Sequence, residues 1–245
     1  MGLSHTCGSR RLWMRAIAAG LLVFGWGLAG CGDDGDQDSV IHTTLRPPTP
    51  TGYAEPAETV DVLLGALASD QWAEAAGITV EGQMALVALA EGADIETVSD
   101  YLQLGEVGVG VNFWAGFTQL AEEFLTSAPD DLRIVSQRAY EAGGVSFVDF
   151  QLASSTSPEG RTFKLTVARS EDLLWRVDVI ASFVDVLAYR LSETAEITRA
   201  TRTEDAAVVS AELARHVPSL EAVLTDPDIT AESSQGVLSA LAAIR

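Results

Sequence analysis

A chain of 245 residues carries 35 acidic against 15 basic side chains, a formal charge of −20, while 47% of its residues are hydrophobic. This balance excludes the basic footprint that nucleic-acid binding needs and opposes docking of the chain itself onto anionic lipid. The two cysteines are Cys7 and Cys31, so the remainder has neither a disulfide nor a cysteine nucleophile.

Arg10, Arg11 and Arg15 precede an apolar run from Ala16 to Gly30. A basic start, a short apolar core and a small-residue exit form a secretory leader. A spanning helix needs roughly 20 residues; the run is shorter and holds four glycines, so it does not suit a permanent membrane span. Its end, Leu28-Ala29-Gly30-Cys31, resembles the lipobox of bacterial lipoproteins. The resemblance implies cleavage between Gly30 and Cys31, a diacylglycerol thioether on Cys31, and an extracytoplasmic body anchored to the lipid bilayer of the cell membrane or outer membrane. Cleavage removes three arginines and no acid, taking the formal charge from −20 to −23.

Residues 31–56 read as a tether. Asp33, Asp34, Asp36 and Asp38 come first and Pro47, Pro48 and Pro50 follow, a composition that favours extended, solvated chain. Asp34-x-Asp36-x-Asp38 resembles the opening of a calcium loop, but Ser39 and Leu45 occupy the glycine and glutamate positions. No metal is expected there.

Pro56-Ala57-Glu58 opens a helix with proline at its start and acid in its first turn. Val60, Leu63, Leu64 and Leu67 follow at helical spacing and predict one buried stripe. Asp70 is a candidate cap for a short helix containing Trp72, Ala73, Ala75 and Ala76. A third segment from near Thr79 places Met84, Val87 and Ala88 together, and Asp94 is placed to cap a fourth bearing Ile95, Val98 and Leu102. Gly105-Glu106-Val107-Gly108-Val109-Gly110-Val111 has the wrong glycine order for a dinucleotide fingerprint and reads as a tight connection. Asn112 then caps a helix with Phe113, Phe117, Leu120 and Phe124, closed by Pro129.

After Pro129 the period changes from helical to alternating. Four strands are predicted around Leu132–Ser136, Val145–Leu152, Thr162–Val167 and Leu173–Val179, with Phe163, Leu165 and Val167 inward. Short connections, including Ala142-Gly143-Gly144, favour antiparallel neighbours. The helices before the sheet are its available cover. Beyond Ser182 the helical period returns and continues to Ile244.

Ala57-Glu58-Thr59-Val60-Asp61-Val62-Leu63-Leu64-Gly65-Ala66-Leu67, followed by Asp70-Gln71-Trp72-Ala73-Glu74-Ala75-Ala76, resembles the opening of small lipoproteins of the nuclear-transport-factor-2-like superfamily. The likeness runs through the meander to Ile180; the helices from Ser182 lie outside it. It implies a cone-like fold whose sheet and helices enclose an apolar pocket, holding carboxylates or histidine in a few members. The expected fold is therefore α+β: an antiparallel β-meander packed against N-terminal helices (residues 57–181), with a C-terminal helical extension (residues 182–245).

The catalytic inventory is thin. His42 falls in the tether, and His216 falls at a helix end, where a cation suits the dipole. Ligand spacing for zinc is lacking, and Gly144-Val145-Ser146-Phe147 is not a nucleophile elbow. Asp149 and Asp178 each interrupt apolar strands. Facing one pocket they would make a paired-acid site; facing arginines such as Arg138 or Arg176 they would make cross-strand charge pairs. Trp72, Phe113, Phe117, Phe147, Phe150 and Trp175 are the candidate lining of an apolar pocket, with packed core as the competing role. The expectation is a non-catalytic envelope lipoprotein, without cofactor, that binds a small apolar ligand or an envelope protein. The rival readings are a hydrolase or isomerase using pocket carboxylates, and a structural envelope protein.

Overall fold

The first described helix, α1 (Pro56–Ala68), buries Val60, Leu63, Leu64 and Leu67 on the stripe their spacing predicts. The computed structural model describes residues 51–125, 128–155 and 162–245. The leader, Gly30, Cys31 and the tether before Thr51 lie outside the described residues.

Helix α2 (Trp72–Gly77) starts without the expected cap: Asp70 adopts φ 56° and Gln71 takes the N-cap position without a side-chain bond. Helix α3 (Gln83–Ala90) is buried around its whole circumference, the arrangement of a central core helix. Asp94 caps α4 (Ile95–Leu104) as the sequence implies, its Oδ1 accepting from Thr97 N at 2.8 Å.

Helix α5 runs Val107–Leu125. Only Gly105 and Glu106 of the glycine–valine stretch form a connection; from Val107 it is already the first turn and a half of that helix. Gly110 serves packing: a Cβ there would stand 2.6 Å from the Ala76 Cβ, so glycine permits α2 and α5 to approach closely. Phe113, Trp114 and Phe117 project from α5 into an aromatic nest with Phe163 and Phe183, with ring centroids 5.0 to 5.7 Å apart and mostly edge-to-face.

A 3-10 turn (Pro129–Asp131) leads into a four-stranded antiparallel sheet of order β1-β2-β3-β4. The strands are β1 (Leu132–Ala142), β2 (Val145–Ser154), β3 (Thr162–Arg169) and β4 (Trp175–Val177). Gly143 and Gly144, with φ of 56° and 79°, make the tight β1–β2 turn, whose two positive φ angles suit a twisted hairpin. A register shift between Ile134 and Ser136 marks a bulge in β1. The last strand is shorter than predicted. Leu173 is exposed at φ 67°, and Asp178 leaves the strand to cap helix α6 (Val179–Ser182), its side chain accepting from Ala181 N.

Both faces of the sheet are covered. Val148, Phe150, Leu152, Phe163, Leu165, Val167 and Val177 belong to the main core beneath the N-terminal helices. The opposite face carries Tyr140, Phe147, Asp149, Thr166 and Ala168, and meets helix α9 (Val217–Leu224) through Ala222. Helices α7 (Val184–Ala200), α8 (Glu204–Arg215) and α10 (Ala231–Ile244) complete the chain. Leu187, Leu213, Leu220, Val237 and Leu241 share one continuous core with the N-terminal helices. The C-terminal segment therefore packs as part of the same hydrophobic unit.

Candidate functional site

The second sheet face holds the densest set of buried polar groups. Cross-strand neighbours share a face, and the register aligns Arg138 with Asp149 and Asp149 with Thr166. The Asp178 N–H bonds Thr166 O at 2.9 Å, which brings Asp178 to the end of the same row. The two aspartates singled out by sequence thus lie on one row, two strand spacings apart, about 10 Å along the sheet.

Each is buried and hydrogen-bonded on both oxygens. Asp149, 5% exposed, accepts from Tyr140 OH and Thr166 Oγ1 on Oδ1, both at 2.9 Å. Its Oδ2 takes Arg138 Nη2 at 2.8 Å. The same guanidinium lies 4.4 Å from the centre of the Tyr140 ring, and its Nη1 donates to Thr225 O. Burial, and then the neighbouring Asp149 charge, push the Tyr140 phenol above its ordinary range, so it stays a donor. Asp178 accepts from Ala181 N on Oδ1 at 2.8 Å and from Ser219 Oγ on Oδ2 at 2.6 Å. A dyad that shares one proton needs contact between its carboxylates; here Thr166 intervenes. The cross-strand charge pair is realised for Asp149 with Arg138. Arg176 instead pairs with Asp172, through Nη1–Oδ1 at 2.8 Å and Nη2–Oδ2 at 2.6 Å.

From Asp178 the polar groups continue inward. Ser219 meets Gln83 Nε2 at 3.4 Å, and Gln83 in turn faces His216 Nδ1 at 3.4 Å. His216 Nε2 lies 2.9 Å from Glu212 Oε1. His216 is buried between α8 and α9, so it is a core histidine rather than an exposed dipole partner. Glu106 approaches from the start of α5 and holds Gly82 N and Ala85 N at 2.8 Å each. It caps α3 bidentately, where a carboxylate satisfies orphan donors and the dipole. Burial raises the Glu106 carboxyl above its usual value, while the two N–H groups pull the other way. For Glu212 the burial effect is outweighed by its bonds from His216 and Arg215, and the carboxyl lies below its ordinary value.

Sequence reasoning missed Gln83, Glu106, Glu212 and Ser219. The Glu212-x-x-x-His216 spacing is a legible helical signal; the others meet partners 21 to 136 residues away and leave no local trace. The aromatic candidates are divided between the two faces of the sheet. Phe113, Phe117 and Phe150 belong to the main core, and Trp72 and Trp175 pack against it. Phe147 faces the other side of the sheet, stacked on Tyr140 at 5.7 Å. Among the described residues, no group of three or more His, Cys, Asp or Glu side chains is arranged to hold a metal ion, and no helix is long and apolar enough to cross a membrane.

No protein-family model, curated protein or solved structure matches this chain.

Proposed function

We propose that this protein is a non-catalytic, lipid-anchored cell-envelope protein whose folded body engages a partner protein. One observation carries the reading. Both oxygens of Asp149 and both oxygens of Asp178 are occupied by neighbouring donors within the fold, which leaves these carboxylates built for holding strands and helices together. A general base must be within reach of the substrate proton, and both carboxylates are buried as well as bonded. The partner-protein version is favoured over an apolar ligand because Phe113 and Phe117 are packed edge-to-face against Trp114 and the aromatic candidates are divided between two faces of the sheet. The formal charge of −20 favours a partner with a basic surface, since complementary fields speed encounter. The address comes from Leu28-Ala29-Gly30-Cys31 and the acidic tether behind it. Two acyl chains suffice for stable anchoring.

The test is metabolic labelling with a clickable fatty acid, fractionation, and native mass spectrometry of the solubilised envelope. The wild-type chain is expected in the membrane fraction with acyl label, and Cys31→Ser unlabelled and released. Membrane attachment of the wild type without label would overturn the anchoring. A co-purifying protein whose binding weakens with added salt supports the partner reading; a bound small molecule supports the ligand version instead. Finding neither overturns both.

A further inference from the structure

Gln83 is fully buried at the start of α3, and its amide has one orientation. Oε1 accepts the N–H groups of Val179 at 2.7 Å and Ile180 at 3.3 Å, the first two residues of α6. Nε2 therefore faces Ser219 Oγ and His216 Nδ1. Ser219 directs its own proton to Asp178 Oδ2, so toward Gln83 its oxygen is an acceptor. An amide nitrogen offers only hydrogens, and His216 Nδ1 must also be an acceptor. The ring proton then sits on Nε2 and is donated to Glu212 Oε1. Neutral His216 in the Nε2–H tautomer satisfies every partner at once.

A proton added to Nδ1 breaks that arrangement, because two donors would then face each other in a buried site. Turning the Gln83 amide over would present Oε1 to the imidazolium, but the Val179 and Ile180 N–H groups would lose their acceptor. We propose that His216, Gln83 and α6 form a proton-operated latch, in which protonation of His216 uncaps the joint between β4 and the C-terminal helices.

The charges around the ring set the balance. Glu212 on α8 touches it directly, and Glu106, ahead of α5, lies near enough to act on it. Asp178, ahead of α6, reaches it through Ser219 and Gln83. Arg215 on α8 opposes the added proton; it is bound to Glu212 and feels Glu81 and Glu171. Glu212 thus holds Nε2 while the fixed amide of Gln83 faces Nδ1.

Nuclear magnetic resonance on the isotope-labelled full chain tests the latch. At about pH 8 the ring nitrogens should report the neutral Nε2–H tautomer. On acidification the Val179 and Ile180 amide signals should move with the His216 midpoint, and their hydrogen exchange should accelerate about tenfold beyond the intrinsic pH effect. Ala181, held by Asp178, should lag behind them. In Gln83→Glu a carboxylate can accept on both sides, so His216 should titrate without releasing the two amides. An Nδ1–H tautomer at pH 8, or Val179 and Ile180 unmoved through the wild-type His216 titration, overturns the proposal. The wild-type measurement decides even if the variant fails to fold.

Discussion

Glu91 closes α3 at its C-cap position, and its Oε1 is buried without a hydrogen-bond partner. Burial alone raises its carboxyl from 4.5 to about 7. A carboxyl whose folded value is raised binds its proton more tightly in the native state. Its contribution to stability is therefore complete below pH 4.5 and lost as the pH climbs through 7. At about 1.4 kcal/mol per pH unit, the undamped loss would be about 3 kcal/mol. Glu91 keeps some contact with water, and solvent screening reduces the expected loss to about 1–2 kcal/mol. Glu91→Gln cannot ionise and should escape it. Urea unfolding followed by tryptophan fluorescence, with Trp114 buried as a reporter, should find the variant close to wild type at pH 4.5. At pH 8 it should be more stable by about 1–2 kcal/mol. Glu106 also titrates upward, but it is present in both proteins and cancels in the difference. A difference independent of pH, or a variant less stable at pH 8, would refute the assignment of a charged, unsupported Glu91 carboxylate.

Three further substitutions probe the packing and the polar row. Asp149→Asn removes a charge that neutralises Arg138 and one acceptor position, and should cost about 2–4 kcal/mol at neutral pH by calorimetry or urea unfolding; a loss under 0.5 kcal/mol would contradict the row. Gly110→Ala puts a methyl against Ala76 at the α2–α5 contact and should cost about 1–3 kcal/mol. The same change at Gly116, where a Cβ meets nothing within 4 Å, should be neutral or slightly stabilising through helix propensity.

Features that depend on a few adjacent residues were legible in the chain. The stripe Val60, Leu63, Leu64 and Leu67, the Asp94 cap, and the inward run Phe163, Leu165 and Val167 all occur as the periodicity implies, because caps and amphipathic faces are set by local spacing. The α+β class with an antiparallel meander follows from the same signals and from short turns such as Gly143-Gly144. The glycine–valine stretch misled because glycine lowers helix propensity, whereas close packing against Ala76 makes glycine the fitting residue there. Asp178 read as a strand residue because Trp175 to Val179 alternates; the chain turns into α6 there, where the carboxylate meets Ala181 N and Ser219. Which face Asp149 takes, and that α9 covers that face, depended on helices contributed by the last third of the sequence. Glu106 capping α3 and Gln83 capping α6 join segments that local pattern cannot relate. Burial makes their donors and acceptors find one another, since an unpaired polar group inside the fold costs more than the pairing contributes, and only the assembled tertiary structure decides which groups are buried together.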